Sequence, residues 1–444
     1  MAIATPLLSP GRLPDLTPAA RGPPGFFDAG SPFSCSTLLF TASIGSGVLA
    51  LPSAAKDVGL YLGIFILMVA GLITAISDAI LGQAVSISGQ KTYGGILAWS
   101  LANSKGNLDR GNYRLPAFDA FMTVYQGAAI VTYLIFLGDF IPSVLQAWLQ
   151  ISLSRTLALV SIVYIVVLPL SVGSEISSLR AVGSFSIWVM LSTAVLALCK
   201  IPWSELDTDR PNNMTPLGFN WRQVMHALSM GTFAYMNQVN AVCITSELHK
   251  PTRQRLTAVC GWAALGLFLC YATLLSAVYL TFGQATTSNF LQSYPLDDVA
   301  VNACRVAVSL TLIFACPLNL FPITSSFFHA IDRCHLAKHA GVRILFNTVV
   351  LTICLITAIW VPDVGSFIGY VSAYMATPLM ITIPAFVYIA CCRAEDDMLA
   401  RKGVVVERNL CRRSSRMVIP AIALSLTVLL WTAATVNIFA SQKA

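Results

Sequence analysis

Residues Leu39-Phe40-Thr41-Ala42-Ser43-Ile44-Gly45-Ser46-Gly47-Val48-Leu49-Ala50-Leu51-Pro52 place two glycines around a serine inside a long apolar segment, with a proline five residues further on. Close helix packing in a membrane is enough to explain a single glycine. Gly-Ser-Gly with a downstream proline is also what a broken helix requires. Unwinding bares backbone N–H and C=O groups, which is tolerable at membrane depth only where they line a polar cavity. The N–H groups opening the second half-helix then suit a carboxylate.

The membrane setting follows from composition. The 444 residues are 56% hydrophobic and only 11% charged, against about 25% charged in a soluble domain. Apolar runs of roughly 20 residues recur along the whole chain, each long enough to cross a hydrocarbon core of about 30 Å. The expected spans are 34–55, 58–87, 116–148, 156–173, 181–200, 223–247, 257–283, 299–328, 344–361, 365–391 and 417–439, eleven in number. The shortest, spans four and five, are separated by Gly173–Arg180. Residues 1–33 carry no continuous apolar core and read as a disordered cytosolic tail. Residues 34–444 form one transmembrane domain.

Basic residues set the orientation. With the N-terminus in the cytosol, twenty Lys and Arg fall in cytosolic segments and five on the other side; Lys56 and Arg305 lie in or beside spans. The N-terminus is thus expected inside and the C-terminus outside. The sequon Asn213-Met214-Thr215 falls in a non-cytosolic loop, as glycosylation would need. Residues 88–115 form a partly polar cytosolic connection, either a surface helix or a gating loop. The net charge of +7 reflects this loop asymmetry and gives no reason to expect nucleic acid. The twelve cysteines show no zinc spacing and no outer-loop pairing, and read as small packing residues. Plasma membrane and vacuolar or lysosomal membrane both fit.

A second break is expected in span six, which runs opposite to span one. It contains Ser229-Met230-Gly231-Thr232-Phe233-Ala234-Tyr235-Met236-Asn237-Gln238-Val239-Asn240, unusually polar for mid-membrane. Two discontinuous helices in matching halves mark the binding site of an inverted-repeat carrier. Residue-level similarity between the halves is weak, so the repeat rests on topology.

The run Gly45 to Pro52, with Gly59 beyond it, resembles the first-span signature of the amino acid/auxin permease family. Phe233 to Leu248, followed by Lys250-Pro251 and a basic cluster, is similar to that family's sixth span. Cys316-Pro317-Leu318-Asn319-Leu320-Phe321-Pro322-Ile323 resembles its eighth. The resemblance implies an all-α, five-plus-five inverted-repeat fold. Repeat one covers about 34–200, repeat two about 223–391, and the extra helix about 417–439. It also implies amino acid transport without an enzymatic step or a resident cofactor. Ile44, Gly45, Ser46 and Gly47 would hold the substrate carboxylate. Carbonyls near Gly231, Thr232 and Phe233 would hold its ammonium group, and Phe233 or Tyr235 would wall the side-chain pocket. Tyr125, in span three, lines the site in this fold, although aromatic and amide residues there are more often packing partners than ligands, which applies equally to Gln126, Asn319 and Thr324.

The family pattern is broken at three places. Thr41 stands where sodium-coupled relatives carry Asn, and Gln238 replaces a common His. Ile313, Phe314, Ala315 and Cys316 offer no hydroxyl where one helps hold sodium. Sodium coupling is therefore not expected; a co-transported proton or facilitated diffusion is. Asp78, mid-span in the second helix, is the proton-coupling candidate. Asp119, Asp139 and Glu247 suit interfacial solvation or capping. A small or apolar neutral amino acid is favoured over a cationic one, since no unpaired acid is placed to face the pocket.

Other classes fit less well. The five histidines lie at span ends or in loops without H-E-x-x-H spacing, which argues against an intramembrane hydrolase. No selectivity-filter repeat or charged ring marks a channel. A sensor on the same fold would need an output domain, and the tails are short. No protein partner is evident beyond the lipid bilayer and the amino acid itself.

Overall fold

The computed structural model describes residues 25, 28, 30–103, 115–172, 180–203, 220–331, 339–361, 363–401 and 410–441. Asn213 and most of residues 1–33 lie outside them. Helices account for nearly all of the described chain, as bilayer physics demands: every backbone donor must be paired within its own segment. The helices are α1 (Pro32–Ser43), α2 (Gly47–Val58), α3 (Leu60–Ser88), α4 (Tyr93–Asn103) and α5 (Pro116–Leu149). Next come α6 (Arg155–Ser161), α7 (Leu168–Val172), α8 (Arg180–Cys199), α9 (Trp221–Ala234), α10 (Gln238–Ser246) and α11 (Arg253–Phe282). The last are α12 (Val299–Ala330), α13 (Ala340–Trp360), α14 (Val364–Val371), α15 (Ile383–Arg401) and α16 (Leu410–Ser441).

Among the described residues, seven helices are long and apolar enough to cross a membrane, and the bent pair α1–α2 makes an eighth. The other expected spans take interrupted or shorter forms. α6 and α7 flank a π-helical turn, Ile162–Val167; the apolar part of α8, Phe185–Cys199, is shorter than the other spans; α9 and α10 are two halves separated by three residues. The 88–115 connection contributes a helix, α4, whose Tyr93, Ile96 and Trp99 are buried. Residues 104–114 lie outside the described chain.

Local chemistry sets the helix boundaries. Ser31, Asn220, Thr252 and Asp363 accept backbone N–H bonds as N-caps of α1, α9, α11 and α14. Gly89 ends α3 at φ +72°, a left-handed cap that glycine adopts without strain. α14 gives way to π-helical turns at Ser372–Ala376 and Pro378–Thr382, where Pro378 has no N–H for the α ladder.

Lipid is as apolar as leucine, so packing and interhelical bonds hold the bundle together. The broadest contacts pair α5 with α12 and α3 with α11. These four long helices brace the broken ones: α1, α2 and α3 all pack on α11, while α9 packs on α2. Large side chains such as Leu72, Trp188, Leu345 and Trp360 face outward, as lipid contact allows.

Candidate functional site

The first break lies where Gly45-Ser46-Gly47 places it. α1 ends at Ser43, α2 begins at Gly47, and the axes differ by 68°. Among the described residues, the N–H groups of Gly45 and Ser46 donate to no backbone carbonyl; Ile44 donates to Thr41 at 3.1 Å. Ser46 caps α2 without a side-chain bond, so donors at its positive end stay open. The space beside Gly45 is also open: a methyl group there would meet only the Tyr133 hydroxyl, at 3.8 Å.

The second break runs through Tyr235-Met236-Asn237, between α9 and α10. The two breaks touch. A Cβ added to Gly47 would fall 2.8 Å from Ala234 Cα and 2.9 Å from Phe233 Cδ1, so only glycine lets α2 approach this closely. The Gly231 carbonyl accepts from Tyr235 N at 3.1 Å, and the Phe233 carbonyl from Met236 N at 3.2 Å. Each carbonyl retains a second lone pair.

A continuous polar vestibule of about 440 Å³ opens at the bundle end reached by the end of α2 and the start of α9. Ser53 and Met230 are among its lining residues, with Lys56, Asp139, Asp363 and Ser288. Asp363 is held by Ser288 Oγ at 2.6 Å and Ser366 N at 2.7 Å. Burial opposes its ionisation, yet these bonds keep its carboxyl below the ordinary range. Buried Arg305 fixes the neighbouring loop by donating to the Leu291 and Tyr294 carbonyls at 2.8 and 2.9 Å.

A family model described as "Transmembrane amino acid transporter protein" matches residues 28–403, across both breaks and the bundle that holds them. The chain belongs to that transporter family. The resemblance carried by Gly45–Pro52, span six and span eight is borne out. The Toxoplasma gondii protein assigned as amino acid transporter AAT1 is 28% identical over 330 residues, covering 73% of this chain. The present chain spans only 43% of that relative's length. Sodium-coupled neutral amino acid symporter 2 of Danio rerio is 24% identical over 82% of this chain and 76% of its own.

Two solved transporters share the fold of this family member. Mhp1, a nucleobase-cation-symport-1 family transporter with bromovinylhydantoin bound, aligns with a TM-score of 0.55 at 12% identity, over 90% of this chain and 92% of its own. MhsT in complex with L-phenylalanine aligns with a TM-score of 0.55 at 9% identity, over 91% and 99%. The chain is thus an all-helical, multi-span membrane protein of the inverted-repeat transporter fold.

In this transporter-family chain the sequence-derived site residues fall in distinct places. Ile44, Gly45, Ser46 and Gly47 form the first break. Gly231, Thr232 and Phe233 form the last turn of α9 and are buried. The Thr232 hydroxyl is engaged by Ser229 O and Ser372 Oγ, both at 2.7 Å. Tyr235 points toward Gly71 of α3 and packs edge-on against Tyr271, with centroids 5.0 Å apart. Tyr125 is half-buried where the two largest core clusters meet. Asp78 is 1% exposed, its Oδ1 lacks a hydrogen-bond partner among the described residues, and the Asn237 amide faces it from the second break. Its titratable neighbours are Tyr93 of α4 and Cys260 of α11.

Three residues escaped the sequence reading. Tyr133 reaches Gly45 and accepts from Asn319 Nδ2 at 3.4 Å. Its spacing of eight from Tyr125, two turns along one helix face, was an available signal. Ser372 and Tyr271 carried none, because their partners are distant in sequence.

Proposed function

We propose that this protein moves neutral amino acids across a membrane by alternating access, without sodium coupling. The observation that carries the proposal is the pair of open N–H groups at Gly45 and Ser46, set at the start of α2 where the two breaks meet. A carboxylate satisfies both donors and is favoured by the helix dipole. The free lone pairs at the end of α9 suit an ammonium group a few ångströms away. The side chains near the first break, Phe233, Tyr133 and Asn319, are uncharged, which suits a substrate side chain without charge. The relatives' names point to the same solute class.

Local chemistry argues against sodium. The Thr41 hydroxyl is turned back onto the Thr37 carbonyl at 2.8 Å, within its own helix. Ala315 and its neighbours bring no side-chain oxygen, and the Ala315 carbonyl already accepts from Asn319 Nδ2 at 3.0 Å. Asp78 is the group we assign to proton carriage. It is an ionisable side chain at membrane depth and adjoins the second break through Asn237. The excess of basic residues in one set of loops favours a cytosolic N-terminus, at the plasma membrane or in an acidic organelle.

The test is uptake by proteoliposomes of a panel of neutral and cationic amino acids, under a sodium gradient, a proton gradient or neither. Uptake of neutral substrates that survives replacement of sodium by choline is expected. Uptake that collapses on sodium removal alone refutes the coupling assignment, and absence of net flux for every amino acid refutes transport itself.

A further inference from the structure

The Tyr271 hydroxyl, on α11, lies 3.1 Å from the Ser43 carbonyl and 3.1 Å from the Ala234 carbonyl. Ser43 is the last residue of α1 and Ala234 the last of α9. Both carbonyls therefore stand at half-helix C-termini, where the α ladder has stopped and the dipole is negative. Two such ends brought to one buried point repel each other unless something positive lies between them. Either a cation or a strongly polarised O–H can fill that role, and Tyr271 supplies the latter. Its ring is 0% exposed and is fixed edge-on against Tyr235.

We propose that the Tyr271 hydroxyl stands in place of a monovalent cation at this junction. It is a positioning residue: its single proton, shared between two carbonyl acceptors, holds the first and second breaks in one frame without an ion. This explains how the two unwound segments stay together at their C-terminal half-helix ends. It also makes the requirement latent. With the hydroxyl removed and the ring kept, the Ser43 and Ala234 carbonyls lose their shared donor, and a small cation, its coordination completed by water, is expected to take its place.

The inference rests on the reading that the native protein does not use sodium. The experiment separates the two. Native protein and Tyr271→Phe are reconstituted, and uptake of the best neutral substrate is measured in choline, sodium and lithium chloride at equal ionic strength. Native uptake is expected to be equal in all three. Tyr271→Phe is expected to fall at least tenfold in choline and to recover severalfold in sodium or lithium. Its thermal unfolding midpoint should rise with the same ions, while that of the native protein should not. A native protein that requires sodium overturns the coupling reading. A variant that matches the native protein, or is equally impaired in all three salts, overturns the present inference alone. Should Tyr271→Phe resist purification in choline, extraction in sodium or lithium is expected to recover folded protein, and failure in every salt counts against the proposal.

Discussion

Gly47→Ala tests the contact between the two breaks most directly. The added Cβ would sit 2.8 Å from Ala234 Cα, where ordinary contact begins at 3.4 Å. The Phe233 ring, 2.9 Å away at Cδ1, is able to swing aside, but Ala234 Cα is backbone and moves only with α9. A separation of about 0.6 Å is thus forced on two packed half-helices. Overpacking of this kind costs about 1–3 kcal/mol. That penalty applies to the arrangement in which both breaks touch. It lowers the population of that arrangement by about 5–150-fold relative to states in which they part. Maximal uptake rate should fall within that range, and the thermal unfolding midpoint should drop. Gly261→Ala on α11, where a methyl meets nothing within 4 Å, is the matched control and should behave as native in both assays. Native uptake and stability in Gly47→Ala, or equal damage from Gly261→Ala, would refute the reasoning.

Asp78→Asn should abolish stimulation of uptake by an inward proton gradient and spare substrate exchange; an unchanged pH dependence counts against proton carriage by this group. Ser372→Ala removes two bonds of a buried trio, one to the Thr232 hydroxyl and one to Ser229 O, while Thr232 still donates to Ser229 O; the expected cost is about 0.5–1.5 kcal/mol for each bond lost. Adding Thr232→Val should then cost less than the two single losses combined, as a double-mutant cycle on thermal stability would show. Lys200 bonds to Asp298, outside the spans, and holds that carboxyl below the ordinary range. A depressed carboxyl contributes stability above its unfolded pKa of about 3.9 and loses it as pH falls through the folded value. Lys200→Met should therefore melt slightly lower at neutral pH, by no more than about 1 kcal/mol for a partly solvated pair. The difference should vanish in acid; a gap that persists or widens there contradicts the assignment.

The amino-acid sequence alone determined the membrane class and the positions of both breaks. Each is a local property. Apolar length decides whether a segment spans, and Gly45-Ser46-Gly47 frees the backbone wherever it lies. The polar run from Gly231 to Asn240 marked the second break for the same reason, and Pro378 is the local cause of the widened turn Pro378–Thr382 that precedes α15. The family resemblance was legible because Gly45–Pro52, Phe233–Leu248 and Cys316–Ile323 each lie within one contiguous stretch. Only the tertiary structure decided what those segments touch. It seats Gly47 on Ala234, directs Tyr235 to α3, and sets Asp78 beneath Asn237. It joins Thr232 to Ser372, 140 residues away. Tyr271 reaches carbonyls 228 and 37 residues distant, and no periodicity along one helix could foretell that convergence. A helix pattern encodes which face is apolar. The meeting of two half-helix ends on one hydroxyl depends on how four long helices pack around them.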